Sequence, residues 1–151
     1  MKFEKYVATG NDFIKEVAEE LTGKGREEIA ESDKEKALRI TRAVLHGIRN
    51  RLMPEEFVNF ISQLPMCLKA IAVDGWKIDK APEKIKHVDE FVEEVYKEDG
   101  KVAPRDFGNQ EEARKAIKAV LRVMKRHISD GEIKDIEAEM PKQLKEFIEN
   151  A

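Results

Sequence analysis

Cysteine is nearly missing: Cys67 stands alone in 151 residues. That excludes an intrachain disulfide and any zinc site built on several thiolates. Long apolar runs are missing too. Ala70-Ile71-Ala72-Val73 is typical of the longest, far short of the ~20 residues that span a bilayer. The opening Met1-Lys2-Phe3-Glu4-Lys5-Tyr6 has no apolar stretch of the secretory kind. A cytoplasmic protein with no membrane role is expected. Charge of one sign is not in excess: 28 Lys+Arg face 31 Asp+Glu, a net of -3. Residues 1–76 hold 12 basic and 13 acidic side chains, and residues 77–151 hold 16 and 18. The basic segment typical of nucleic-acid binders is therefore absent.

Several chemical signatures are absent as well. Phosphate-cradling glycine loops, zinc-protease helices and serine-nucleophile elbows do not occur. Glu-x-x-His, the di-iron bundle signature, does not occur either. The three histidines stand apart, and the Asp-Gly pairs lack calcium-loop ligands. Glu132, Asp135 and Glu139 can share a helical face, but neither a metal nor a cofactor is expected.

What is present is helical periodicity. Apolar residues make up 41% and charged residues 39%, enough for one core under a thoroughly solvated exterior. Phe13, Ile14, Val17 and Leu21 predict a first helix over 11–21, stopped at Gly23. Ser32 and Glu35 have capping-box spacing for a second helix, which runs to Arg51 with Ala37, Ile40, Thr41, Val44, Ile48 and Leu52 inward. Pro54 opens a third helix with Phe57, Phe60, Ile61 and Leu64, and Pro65 opens a fourth. Residues 74–82 read as a connector. A fifth helix carries Ile85, Val88, Phe91, Val92 and Val95 up to Gly100, and residues 101–109 read as a loop. The sixth helix follows with Ala113, Ile117, Val120 and Met124. Ser129 with Glu132 caps a seventh, and Pro141 opens an eighth.

Shifting the chain by 76 positions lays residues 37–72 on 113–148 without a gap. Ala43-Val44-Leu45 meets Ala119-Val120-Leu121, Glu56 meets Glu132, and Pro65 meets Pro141. Helix-breaking prolines in register point to duplication. The expected architecture is all-α, with about eight helices in two tandem four-helix repeats related by a pseudo-twofold. Residues 1–76 form the first repeat, 77–82 a connector and 83–151 the second, all packed as one compact unit.

The string Arg42-Ala43-Val44-Leu45, Arg51-Leu52, Glu56, Gln63-Leu64-Pro65 and Gly75-Trp76 resembles a prokaryotic, all-helical domain family of unknown function. Members of that family are often duplicated internally. The second copy departs from the pattern: Lys118 replaces Arg42, His127 replaces Arg51, and Glu139-Met140 replaces Gln63-Leu64. The resemblance implies the fold and the duplication, and it implies no activity.

Candidate sites are few. By helical projection Arg42, His46 and Arg49 form a strip opposite the apolar face of the second helix, flanked by Arg39. Lys118, Arg122 and Lys125 match them on the sixth, flanked by Lys115. These paired basic ridges are an anion or partner-binding candidate, weighed against a plain solvated face. Arg51 and His127 occupy last-turn positions where a cation suits a helix C-terminus. With Trp76 they mark a candidate seam between the repeats. Cys67, at a helix start, is either a reactive thiol or a small buried residue. The function expected is non-enzymatic binding or scaffolding of an unknown protein partner, or self-association. One alternative is a nucleic-acid or phosphate binder using the ridges, and another is an enzyme with a site at the seam near Trp76.

Overall fold

A glycine ends the first helix where the spacing places its end. Gly23 takes φ 73°, and its N–H closes on Glu19 O at 2.8 Å. In the computed structural model, which describes residues 2–151, helix α1 spans Phe3–Thr22. It starts eight residues before the expected Asn11. Gly10 does not break it, because α4 crosses there. A Cβ at Gly10 would lie 2.9 Å from Cys67 Cβ, so only glycine admits the close approach.

α2 spans Glu31–Arg51. The capping box expected at Ser32 and Glu35 does not form. Asp33 Oδ2 instead accepts the Ala30 N–H at 2.9 Å while paired with Lys24 at 2.7 Å, which moves the start back. α3, Pro54–Ile61, begins with its proline in the first turn, and α4, Met66–Val73, follows Pro65. The connector is longer than expected. α5 begins only at Val88 and runs to Asp99, leaving Ile85 buried outside any helix. Within the expected loop 101–109 lies a short helix, α6, Ala103–Phe107, opened by Pro104. It forms because Ala103, Asp106 and Phe107 all have places in the core. α7 spans Gln110–His127 and is capped by Asn109. α8, Asp130–Ala138, is capped by the Ser129 hydroxyl as the spacing predicts, and α9 covers Lys142–Glu149. Among the described residues there is no strand, and eight helices have eight or more residues.

One core joins all of these helices. α1 lies against α2, α4 and α7; α5 lies against α2, α7 and α9; α3 meets α8. α2 occupies the middle, and every residue from Ala43 to Arg49 is buried. Its crossing with α5 is tight, since a Cβ on Gly47 would sit 2.8 Å from Val95 Cγ2. The later helices keep the same bounds 76 positions on: Arg51 and His127 end α2 and α7, and Met66–Val73 corresponds to Lys142–Glu149.

The Gly47 crossing yields a double-mutant prediction. Gly47→Ala gains about 1 kcal/mol of helix propensity but overpacks Val95 at a cost of ~1–3 kcal/mol. Urea denaturation is expected to show a net loss of about 1 kcal/mol, turning into a gain in a Val95→Ala background. A stabilising effect of Gly47→Ala alone would show that the helices are not locked together there.

Candidate functional site

The basic ridges do not survive as solvated strips. His46 is 1% exposed and Arg49 8%. Helical projection placed both opposite the apolar face, but α4 and α5 cover that side. His46 Nε2 donates to Ile71 O at 2.8 Å, and its Nδ1 lies 3.7 Å from Glu98 Oε2. Arg49 Nη1 donates to Ala72 O at 2.9 Å and Asp74 O at 2.8 Å, closing the carbonyl end of α4. Burial pushes its guanidinium pKa down. Arg42 stays half-exposed, 3.7 Å from Asp74. On α7, Lys125 Nζ reaches Ile148 O, Glu149 O and Ala151 O, the carbonyl end of α9. Lys118 lies over the Phe147 ring, Arg122 pairs with Glu20 at 2.8 Å, and Lys115 faces Glu111 at 3.8 Å. Several of these cations therefore satisfy helix carbonyls.

The flanking Arg39 binds a buried acid. Its Nε and Nη2 each donate to Asp106 at 2.9 Å, and that carboxylate is fully covered. Next to it, burial and a hydrogen bond shared with Asp106 push the Asp99 carboxyl up to about 7.

The expected seam residues are not brought together. His127 rests on Phe13 and approaches Glu16 at 3.4 Å, on α1. Trp76 packs edge-on against Phe57. Arg51 has a buried Nε without a hydrogen-bond partner, and its charge acts on Glu139. Between α3 and α8 the carboxylates of Glu56, Glu132 and Asp135 lie within 4.8 Å of one another. Glu56 comes from the other half of the chain, so the Glu132, Asp135 and Glu139 face acquires a member that spacing did not place there. Burial first, then a hydrogen bond shared with Glu132, pushes Glu56 up to about 7.

Two concave regions adjoin the candidate residues Trp76 and Cys67. One is a polar cavity of about 240 Å³ bounded by Trp76, the C-terminal end of α2, the connector and α5. The other is an apolar groove of about 280 Å³ between α1, α2 and α4, lined by Val7, Gly10, Ile14, Leu38, Cys67 and Ile71. Glu31, Lys34 and Glu35 stand on its side walls. Cys67 is half-buried in the floor, its Sγ 3.4 Å from Tyr6 O. Val7 and Leu38 in its lining are exposed, as are Phe3 one turn before Val7 and Met66 beside Cys67, Phe3 at 74%. Phe3, Val7, Gly10 and Ile14 follow helical spacing along α1, so one stripe begins in solvent and ends in the core. Its signal was in the sequence, but Gly10 hid the first two turns.

The model of a family described as "Uncharacterized conserved protein (DUF2267)" matches residues 10–147. No curated protein matches the chain. No helix among the described residues is long and apolar enough to cross a membrane.

The Glu56–Glu132 contact has a pH signature. A carboxyl raised from 4.5 to about 7 contributes stability that is complete below the unfolded value and lost as pH rises through about 7. Glu56→Gln stays neutral and avoids that loss. It is expected to match the parent at pH 4.5 and to exceed it by roughly 1 kcal/mol at pH 8, measured by urea denaturation. A difference that does not widen with pH would refute the shared proton.

Proposed function

We propose that this chain, which belongs to that uncharacterised conserved family, is a non-enzymatic docking module that takes an amphipathic helix of a protein partner into the groove between α1, α2 and α4. The observation carrying this reading is the Phe3-Val7-Gly10-Ile14 stripe, whose exposed half continues directly into a groove floored by Cys67 and Ile71. Exposed apolar surface that is continuous rather than scattered marks an interaction site. A trough walled by three helices fits a helical ligand presenting apolar residues at i, i+3 or i+4, and i+7. Two acids and one lysine on the walls favour a ligand whose polar flank leans basic.

We also take the two halves to be copies: residues 1–76 and 83–151 around the 77–82 connector. Common helix ends 76 positions apart support this. So does the exchange of neighbours, in which α1 against α2, α4 and α7 becomes α5 against α7, α9 and α2. A pseudo-twofold between α3 and α8 would then set Glu56 beside its equivalent Glu132. The groove breaks this symmetry, since Gln143 stands where Cys67 does and α5 is shorter than α1.

Phosphate-backbone binding through the paired ridges has less support, because His46 and Arg49 are buried and Lys125 is spent on carbonyls. The enzyme reading has the Trp76 cavity, yet no serine, threonine, cysteine or histidine lines it. A hydroxyl, thiol or imidazole group for nucleophilic catalysis is therefore missing from that lining.

Selection from a displayed library of helical peptides tests the docking reading. Peptides with apolar residues at helical spacing should be enriched by the parent protein. They should bind Leu38→Asp and Val7→Asp at least about tenfold more weakly. Peptides that bind both variants as well as the parent, or no enrichment, would overturn it. A dimer in light scattering that Leu38→Asp dissociates would assign the groove to a second copy of this chain instead.

A further inference from the structure

We propose that the cavity beside Trp76 binds a small amino-carboxylate, a molecule carrying an ammonium at one end and a carboxylate at the other, as a free amino acid does. This site lies on the far side of α4's carbonyl end from the groove and stands independently of the docking role.

The cavity has an acidic side with more acceptors than donors. Asn50 Nδ2 donates to Glu94 Oε1 at 2.7 Å and Glu98 Oε1 at 2.8 Å, and that amide has no further hydrogen to give. Glu83 is brought in by its backbone N–H, which donates to Asn50 O at 2.8 Å. Its carboxyl is held above the ordinary range by burial first and then by a hydrogen bond shared with Glu94. A proton bridging two carboxyls occupies the place an ammonium fills better, since an ammonium brings three donors and a full charge. Lys80, at 3.9 Å from Glu83, is too extended and exposed to hold that place.

Arg49 stands in the same lining, with Glu98 and Asp74 acting on it only at longer range. Arg49 lines the cavity at 8% exposure, and no carboxylate among the described residues lies within ion-pair distance of it. Only Nη1 is committed, to the two carbonyls, and Nε has no partner. Burying a guanidinium without a counter-ion is costly. Nη2 is the amine left to donate to a carboxylate oxygen, in a charge-assisted hydrogen bond. Lys77 and Lys80 stand at the rim on the connector.

Charge balance selects the ligand class. Three cations, Arg49, Lys77 and Lys80, face three acids, Glu83, Glu94 and Glu98. A bound molecule with one charge of each sign can answer both the acids and the cations, whereas an amine or an anion alone answers only one set. Trp76, braced by Phe57 with ring centroids 5.3 Å apart, supplies an apolar wall for the carbon skeleton.

Trp76 is the only tryptophan, so intrinsic fluorescence reports on this cavity alone. The full chain is titrated with glycine, alanine and 4-aminobutanoate, and separately with 1,4-diaminobutane, acetate and inorganic phosphate. At least one amino-carboxylate is expected to change the emission saturably below about 1 mM. Glu94→Gln is expected to weaken it about tenfold with an unchanged circular dichroism spectrum. The proposal is overturned if none of the amino-carboxylates moves the emission. It is equally overturned if diaminobutane, acetate or phosphate alone binds as tightly, or if Glu94→Gln binds like the parent.

Discussion

The burial of α2 on every side is the constraint on which the rest of the structure depends. A helix with one covered face needs only an apolar stripe, but α2 is enclosed from Ala43 to Arg49. Each polar side chain in that stretch must therefore find a partner inside the protein, because an unsatisfied buried group costs ~1–3 kcal/mol. His46 meets this demand by taking the carbonyl of Ile71, and Arg49 meets it through Nη1, which takes those of Ala72 and Asp74, while its Nε stays without a partner. The end of α4 is thereby tied to the middle of the molecule. Asn50 meets it through Glu94 and Glu98, and Arg39 through Asp106. The tight passage of Gly47 past Val95 brings α5 close enough for these bonds. The Trp76 cavity is what remains where α2 emerges from its enclosure.

A second theme is the pairing of acids. Glu56 beside Glu132, Glu83 beside Glu94, Asp99 beside Asp106 and Glu137 beside Glu149 each have the first carboxyl raised by burial and by the neighbouring acid. A sequence with 31 acids against 28 bases packed into short helices cannot give each carboxylate its own cation. Where two are brought together, burial first and then the neighbouring acid disfavour the charged form of one of them. The contact between α3 and α8 is of this kind, so the junction between the halves carries a pH dependence that exposed ion pairs would not give it.

Much of the fold was legible. Pro54 and Pro65 mark helix starts because they lack an N–H and carry a preset φ. Gly23 marks an end because it alone tolerates φ 73° cheaply. Ala113, Ile117, Val120 and Met124 of α7 follow the core spacing and are buried, whereas Ala119 and Val123 are buried without being marked by it. Other features escaped for definable reasons. Residues 3–9 carry Phe3 and Val7 at helical spacing, but both are exposed and Gly10 separates them from the buried Ile14. Asp33 outcompeted Glu35 as the cap because Lys24 holds it in place. α6 is too short for a period, and its burial comes from the surrounding core rather than its own pattern.

The candidate sites divide along the same line. The sequence by itself determined the eight longer helices and the ends marked by Gly23, Pro54, Pro65 and Ser129, along with the likeness between residues 37–72 and 113–148. All of these follow from interactions between residues a few positions apart or from spacing along the chain. It also determined that Arg42, His46 and Arg49 share one strip of α2. Only the tertiary structure decided that this strip is covered. Projection describes one helix, whereas burial depends on how many other helices surround it. The same holds for Glu56 beside Glu132, for Glu83, Glu94 and Glu98 around Asn50, and for the groove beneath Phe3 and Val7. Each joins residues from separate helices or segments, and only packing one element against another sets the distances between them.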